Sequence, residues 1–132
     1  MSVLLIPATQ RTPELAFDPD AGHLRIAGES FPEDVNAFFD GPMGRVNEWL
    51  DESQGPVLLD FQMIYLNSSS AKVFVKLLVR LDAQAALGRD CRVRWWHDAE
   101  DFNIRELGEE FRDRVDHLRF ELCEAVAGDT HS

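Results

Sequence analysis

The sequence is short of several residue types that mark whole classes of protein. It has 2 cysteines in 132 residues, too few for a disulfide framework, so we expect Cys91 and Cys123 to be free thiols in buried strands of a cytoplasmic protein. Basic residues are also scarce, since 13 lysines and arginines stand against 24 acidic residues and the formal net charge is −11. Such a surface repels phosphate backbones and anionic lipid headgroups, which disfavours binding to nucleic acid or to a membrane surface.

Long apolar runs are absent as well. No segment approaches the ~20 apolar residues that span a bilayer, and the run from Val3 to Ile6 is too short for a signal peptide. With 8 glycines, 6 prolines and 45% hydrophobic residues, the composition is that of an ordinary globular chain. We therefore expect one domain over residues 1–126, followed by a C-terminal tail at 127–132.

The first half of the chain shows a strand pattern followed by a helix pattern. Residues 14–18 and 23–27 alternate in polarity around Pro19-Asp20-Ala21-Gly22, which predicts a β-hairpin. Helical spacing follows, with Ser30 as the expected N-cap and Gly41-Pro42 as the expected break between two helices.

The second half of the chain predicts three more strands with a helix between each pair. Residues 57–66 are almost continuously apolar, which indicates a strand covered on both faces. The other predicted elements are a helix at 71–87, a strand at 91–97, a helix from about 102 and a strand at 118–122. The order β-β-α-α-β-α-β-α-β predicts a single-domain α/β fold. Its mixed sheet has crossover helices between parallel strands and the antiparallel hairpin at one side.

One polar run stands where chemistry is expected in such a fold, at the carboxyl end of a strand. Asn67-Ser68-Ser69-Ser70 links the strand at 57–66 to the following helix. One interpretation is structural: Ser69 caps the helix, Asn67 forms a local turn and the remaining hydroxyls are solvated. In the other, one hydroxyl accepts a phosphate of about −1.5 to −2 charge, which any interface over this turn would have to desolvate.

Several segments in the same order resemble the SiaC-like bacterial regulatory phosphoproteins, and together they span about residues 5–123. They are IPATQRTPELAFDP at 6–19, GESFPED at 28–34, YLNSSSAK at 65–72, WWHD at 95–98 and ELGEEF at 106–111. The resemblance implies a STAS-like domain similar to the anti-sigma-factor antagonists. Such a domain is not an enzyme and needs no cofactor.

The resemblance also implies a function. A partner-switching Ser/Thr kinase phosphorylates such a protein and a PP2C-type phosphatase removes the phosphate. The unphosphorylated form binds and activates a diguanylate cyclase, a GGDEF protein, which promotes c-di-GMP signalling, aggregation and biofilm growth. The family's acceptor follows the asparagine and corresponds to Ser68. Other members carry threonine there, so this chain keeps the hydroxyl but lacks the methyl group that restricts χ1. Leu66 likewise replaces an aromatic residue.

Residues around Ser68 are the expected switch surface for partner binding. Within the turn these are Asn67, Ser69, Ser70 and Lys72, and the segment from Thr9 to Pro13 adds Arg11 and Thr12. That segment is either a solvated loop or a border of the switch surface. Lys72, Lys76 and Arg80 recur every fourth residue, which indicates a solvated helix face or a surface for an acidic partner. Of the three, Lys72 is the residue expected to act in the switch.

Other constellations favour structural interpretations. The histidines at 23, 97, 117 and 131 lack metal-ligand spacing, and Asp98, Glu100 and Asp101 are explained by a helix dipole. Trp95 and Trp96 point to opposite faces of a strand, so one should be buried and the other could contact a partner. Two alternatives stay open: an anti-sigma-factor antagonist acting on an anti-sigma kinase, and a small-molecule-binding enzyme.

Overall fold

The structure is a computed structural model that describes residues 2–125, so the predicted tail at 127–132 lies outside the described residues. Compared with the predicted order, the described chain has one more strand and one fewer helix. The elements are β1 Leu4–Ile6, β2 Glu14–Asp18, β3 His23–Ser30, α1 Val35–Glu52, β4 Val57–Leu66, α2 Ser68–Ala86, β5 Cys91–Asp98, α3 Phe102–Arg112 and β6 Arg119–Ala125.

The predicted N-terminal hairpin is confirmed, and its turn residues explain it. Asp18 Oδ1 accepts hydrogen bonds from the backbone amides of Asp20 and Ala21, at 3.1 and 3.3 Å. Gly22 follows with a φ of +66°, and a Cβ there would lie 2.2 Å from the carbonyl oxygen of Pro56. The turn therefore requires glycine both for its backbone conformation and for this close approach.

All six strands form one mixed sheet in the order β1-β2-β3-β4-β5-β6. The first three pair antiparallel, and β3, β4, β5 and β6 are parallel neighbours. Each helix connects two adjacent parallel strands, and successive right-handed crossovers that advance in one direction place their helices on the same face. The predicted single-domain α/β fold with a mixed sheet is confirmed.

Aromatic contacts hold the three helices on that face. In each contact a helix ring packs within 4.5–7 Å of a strand ring, the usual range for stabilising aromatic pairs. The pairs are Trp49 of α1 with Phe17 (5.4 Å), Phe74 of α2 with Phe61 (5.0 Å) and Phe111 of α3 with Trp95 (5.2 Å).

The prediction that β4 is covered on both faces is wrong. Leu59 and Phe61 are buried under the helices, whereas Leu58 and Gln62 alternate with them and stay partly exposed. All three described helices lie on one face, and within residues 2–125 no helix covers the other. We call this second side the open face.

The helix α1 is continuous, although Gly41-Pro42 was expected to break it. Pro42 removes one backbone donor, the amide that would otherwise reach the carbonyl of Phe38. Phe39 before the proline and Val46 after it are both buried in the core. Packing on both sides therefore holds the two halves in one helix despite the missing hydrogen bond.

The start of α1 also differs from the prediction. Asp34 is the N-cap, and its Oδ1 accepts a hydrogen bond from the amide of Ala37 at 3.1 Å. Ser30 was expected to cap but is the last residue of β3 and is fully buried. The apolar run from Val3 to Ile6, for which no strand was included in the predicted order, contributes β1.

Candidate switch site

The turn between β4 and α2 is capped by its asparagine. Asn67 Oδ1 accepts a hydrogen bond from the amide of Ser70 at 2.9 Å, and Ser69 Oγ donates to the same oxygen at 3.2 Å. The backbone carbonyl of Asn67 accepts from the amide of Ala71. The expectation that Ser69 caps α2 is therefore wrong: Asn67 is the residue directly before the helix and accepts the free amide of Ser70, whereas Ser69 already lies in the first helical turn.

Ser70 belongs to the core rather than to the surface of the turn. Its Oγ lies 2.7 Å from Ser30 Oγ and 3.2 Å from the Ser30 carbonyl, and both side chains are fully buried. The same carbonyl accepts the amide of Asn67 at 3.0 Å. These contacts anchor the first turn of α2 to the end of β3.

Ser68 differs from the two serines after it. It is the first residue of α2 and is exposed, and its hydroxyl makes no hydrogen bond to the rest of the described chain. The amides of Ser68 and Ser69 likewise have no partner among residues 2–125, as expected at the start of a helix. A phosphate on Ser68 would therefore lie beside free amide donors at the positive end of the helix dipole.

The three basic residues that recur every fourth position on α2 do not have the same surroundings. Lys72 is exposed four residues after Ser68, on the same side of α2, and Lys76 is also exposed. Arg80 is half-buried, bonds to the carboxylate of Asp51 and donates to the carbonyl of Asn47 at 3.3 Å. The solvated interpretation is therefore wrong for Arg80, which joins α2 to α1.

The segment from Thr9 to Pro13 lies beside the turn. Thr9 and Thr12 close it on themselves, through a contact of 2.6 Å between their hydroxyls and a 3.0 Å bond from the Thr12 amide to Thr9 Oγ1. The carbonyl of Arg11 accepts the amide of Phe31 at 2.8 Å. Because Phe31 directly follows Ser30, the Arg11 loop and the Asn67–Ser70 turn attach to adjacent residues at the end of β3.

Sequence reasoning missed three residues at this edge. Phe31 contacts the ring of Tyr65 at 5.8 Å between centroids, and Ile64 and Tyr65 are both exposed although they are neighbours in one strand. Because β4 is almost continuously apolar, Ile64 and Tyr65 were expected to be buried. Phe31 and Tyr65 lie in the segments at 28–34 and 65–72 that carry the family resemblance, whereas Ile64 lies outside both and had no signal.

A buried carboxylate lies on the open face. Asp60 accepts hydrogen bonds from Arg94 Nε (2.7 Å) and Nη2 (2.8 Å) and from Trp96 Nε1 (2.9 Å), and His23 Nε2 lies 2.8 Å from its Oδ2. Burial alone would raise the pKa of Asp60. The hydrogen bonds from Arg94, Trp96 and His23, together with the charge of Arg94, outweigh burial and lower the pKa. All four acceptor positions are occupied, so this carboxylate is suited to holding strands together and not to proton transfer.

The other residues considered as candidates for chemistry are an acidic residue before α3, possible metal ligands and the two cysteines. Asp101 is the N-cap of α3 and accepts the amide of Ile104 at 3.1 Å. Among residues 2–125 there is no cluster of three or more histidine, cysteine or acidic side chains that could hold a metal ion. Cys91 and Cys123 are free thiols, the first buried and the second half-buried. None of the helices in this part of the chain is long and apolar enough to cross a membrane.

The sequence of this chain is similar to those of known proteins. A family model described as SiaC family regulatory phosphoprotein matches residues 6–125. An uncharacterised protein of Pseudomonas aeruginosa is 38% identical over 113 residues, which are 86% of this chain and 90% of the relative.

Solved structures show the same similarity. The crystal structure of apo-SiaC from Pseudomonas aeruginosa is 36% identical and superimposes with a TM-score of 0.84, covering 96% of this chain and 100% of that one. A chain in the crystal structure of the diguanylate cyclase SiaD in complex with its activator SiaC, from the same organism, is 34% identical. It has a TM-score of 0.88 and covers 92% and 99% of the two chains. The family model matches residues 6–125, and the relative is 38% identical over most of both chains. The chain therefore belongs to the SiaC family of regulatory phosphoproteins.

Proposed function

We propose that this protein is a non-enzymatic phospho-switch whose acceptor is Ser68. A Ser/Thr kinase phosphorylates Ser68 in the cytoplasm, and a PP2C-type phosphatase removes the phosphate. The unphosphorylated form binds and activates a diguanylate cyclase and thereby controls c-di-GMP-dependent aggregation and biofilm growth.

The observation that carries the proposal is the difference between the three serines of the turn. Ser70 is buried against Ser30, and Ser69 donates to the capping oxygen of Asn67. Ser68 alone among the three is exposed and makes no side-chain hydrogen bond within the described chain. A kinase can therefore reach this hydroxyl without opening the fold.

The phosphate acts on a partner and not on the fold. Beside the first amides of α2 it contributes only about 0.3 to 1 kcal/mol to the helix. An interface that covers the turn would have to remove water from a group of about −1.5 to −2 charge, which costs several kcal/mol unless cations face it. Phosphorylation at this position therefore blocks binding.

The choice of partner rests on a relative. A similar chain, 34% identical, was solved together with a diguanylate cyclase that it activates. With a net charge of −11, the present chain suits a protein partner better than a nucleic acid or an anionic membrane.

The acceptor can be tested with purified protein and the Ser/Thr kinase encoded nearest to this gene. We expect mass spectrometry to find one phosphate, at Ser68, which a PP2C-type phosphatase removes. Ser68→Ala should abolish the modification, and Ser69→Ala, the matched control one residue away, should retain it. A phosphate on another residue would contradict the assignment.

The switch can be tested by measuring cyclase affinity and c-di-GMP synthesis. Ser68→Ala should bind and activate like the wild type, and Ser68→Asp should bind at least about tenfold more weakly, or about 1.4 kcal/mol. If Ser68→Asp binds as well as the wild type, phosphorylation does not work as proposed. If the wild type retains an anti-sigma kinase and no diguanylate cyclase, the output is a different circuit.

A further inference from the structure

The end of β4 exposes two apolar side chains in a row, which a regular strand does not do. Side chains of a strand alternate between faces, so Met63 and Tyr65 should share the buried face. Met63 is 5% exposed, but Ile64 and Tyr65 are 67% and 50% exposed, and Leu66 is buried again.

An irregularity in the pairing with β3 causes this change. Gly28 pairs with Met63 and Glu29 pairs with Tyr65, so Ile64 is an extra residue on β4. Gly28 has a φ of +110°, which favours glycine at this point. Bulges of this kind re-aim side chains and occur often beside functional sites.

Of the two exposed residues, Tyr65 has a neighbour that is held in place. The ring of Phe31 packs edge-on against Tyr65, 5.8 Å between centroids, and the Phe31 amide is held by the carbonyl of Arg11 at 2.8 Å. We call Phe31, Ile64 and Tyr65 the apolar edge. The Phe31–Tyr65 pair is formed in advance, which lowers the entropy cost that a partner's binding must offset.

The apolar edge adjoins Ser68. Tyr65 and Ser68 are three residues apart, which limits their Cα atoms to a separation of about 10 Å. That is close to the Debye length of about 8 to 10 Å at physiological salt. A phosphate on Ser68 would therefore act on any partner surface that covers this edge.

We infer that the apolar edge is the docking surface for the diguanylate cyclase, which covers it with an apolar surface of its own. This inference rests on the function proposed above and adds the residues that the partner contacts. The occupant follows from two observations: a similar chain was solved in complex with a diguanylate cyclase, and the edge lies next to the residue whose charge is to control that complex. Other exposed apolar residues, such as Val79 on α2 and Leu87 at its C-cap, lie farther along the chain from Ser68.

The test compares exposed apolar residues inside and outside the apolar edge. Ile64→Ser and Tyr65→Ser should each weaken binding of the unphosphorylated protein to the cyclase at least about tenfold, because each removes apolar contact area. Leu87→Ser is the control, since Leu87 is 86% exposed at the far end of α2, which is ~28 Å long. It should bind within about twofold of the wild type. Urea denaturation of each variant checks that the fold is retained.

The outcomes separate this inference from the proposed function. If the wild type binds the cyclase, Ser68→Asp does not, and both edge variants bind like the wild type, the switch stands and the docking surface is elsewhere. If the wild type binds no diguanylate cyclase, the proposed function fails and the inference fails with it. If light scattering shows a wild-type dimer that Ile64→Ser converts to a monomer, the edge serves a second copy of the chain and the inference is wrong.

Discussion

Three consecutive serines have three different surroundings, and tertiary contacts set the difference. Ser68 is exposed, Ser69 contacts the capping asparagine, and Ser70 is buried against a residue 40 positions earlier in the chain. The proposed acceptor hydroxyl and a hydroxyl that anchors the helix are thus two residues apart. The surroundings of Ser68 allow the modification proposed above while the Ser70 anchor stays in place.

The anchor can be measured by removing it. Ser70→Ala deletes one of two paired buried hydroxyls and leaves Ser30 Oγ without its side-chain partner, so we expect the free energy of unfolding to fall by about 1 to 3 kcal/mol. Ser68→Ala should change it by less than about 0.5 kcal/mol, because this side chain is exposed. Urea denaturation of both variants gives the comparison. Equal values would show that the Ser30–Ser70 contact does not stabilise the fold.

At the scale of elements, two helices contain glycine for different reasons. Gly44 in α1 is exposed, and a Cβ there would meet nothing within 4 Å. Gly108 in α3 is buried, and a Cβ there would lie 2.4 Å from Trp95 Cδ1 and 2.8 Å from Leu122 Cδ2. The Trp95 ring is itself held by a 2.8 Å hydrogen bond from its Nε1 to the carbonyl of Ile104. Gly108 is therefore the point of close contact between α3 and the sheet.

The same substitution should have opposite effects at these two glycines. Gly44→Ala should raise the free energy of unfolding by about 0.5 to 1 kcal/mol, because alanine loses less backbone entropy in a helix. Gly108→Ala should lower it by about 1 to 3 kcal/mol, because the methyl group overpacks against Trp95. Thermal and urea unfolding of the two variants measure both effects. A stabilised Gly108→Ala would mean that α3 can move away from the sheet at little cost.

At the scale of the whole molecule, two carboxylates join distant parts of the chain. Asp60 holds Arg94, Trp96 and His23 on the open face. Asp82 on α2 holds the loop before β6, where its Oδ1 accepts the amides of residues 116, 117 and 118 at 2.7 to 3.1 Å. Burial would raise the pKa of Asp82, but these backbone hydrogen bonds and the charge of His117 lower it.

These shifts predict that acid weakens the fold. The pKa of each carboxyl is lower in the folded than in the unfolded state, so the unfolded state takes up protons first as the pH falls. Their contribution to stability is complete above the ordinary carboxyl pKa and is lost as the pH falls through the folded-state values. The free energy of unfolding should therefore stay nearly constant from about pH 7 to about pH 5 and decrease below about pH 4.

Substitution identifies the groups responsible. Asp82→Asn should be less stable than the wild type at about pH 7, and the difference should shrink as the pH falls below about 4, because the wild type then begins to lose the same charge. Asp40→Asn, at an exposed position of α1, is the control and should follow the wild-type curve. Urea denaturation at several pH values gives the curves. A constant difference between Asp82→Asn and the wild type would exclude titration of Asp82 as the cause.

Local patterns predicted most of the fold because they depend on neighbours in sequence. The alternation around residues 19–22 predicted the hairpin, and strand and helix periods predicted the crossovers that make β3 to β6 parallel. The polar run at 67–70 was correctly located at the carboxyl end of a strand. The family segments then singled out Ser68, which remains a prediction of function.

The sequence by itself therefore determined the α/β class, the position of the Asn67–Ser70 turn and the family. Only the tertiary structure decided which residue caps α2, that Ser70 is buried, that α1 passes through Pro42 and that Ile64 and Tyr65 are exposed together. The reason is physical: periodicity reports which side of an element is apolar, but not what lies opposite that side. Ser30 and Gly28, both on β3, set the environment of residues more than thirty positions later, through the contact with Ser70 and the shift in pairing beside Ile64.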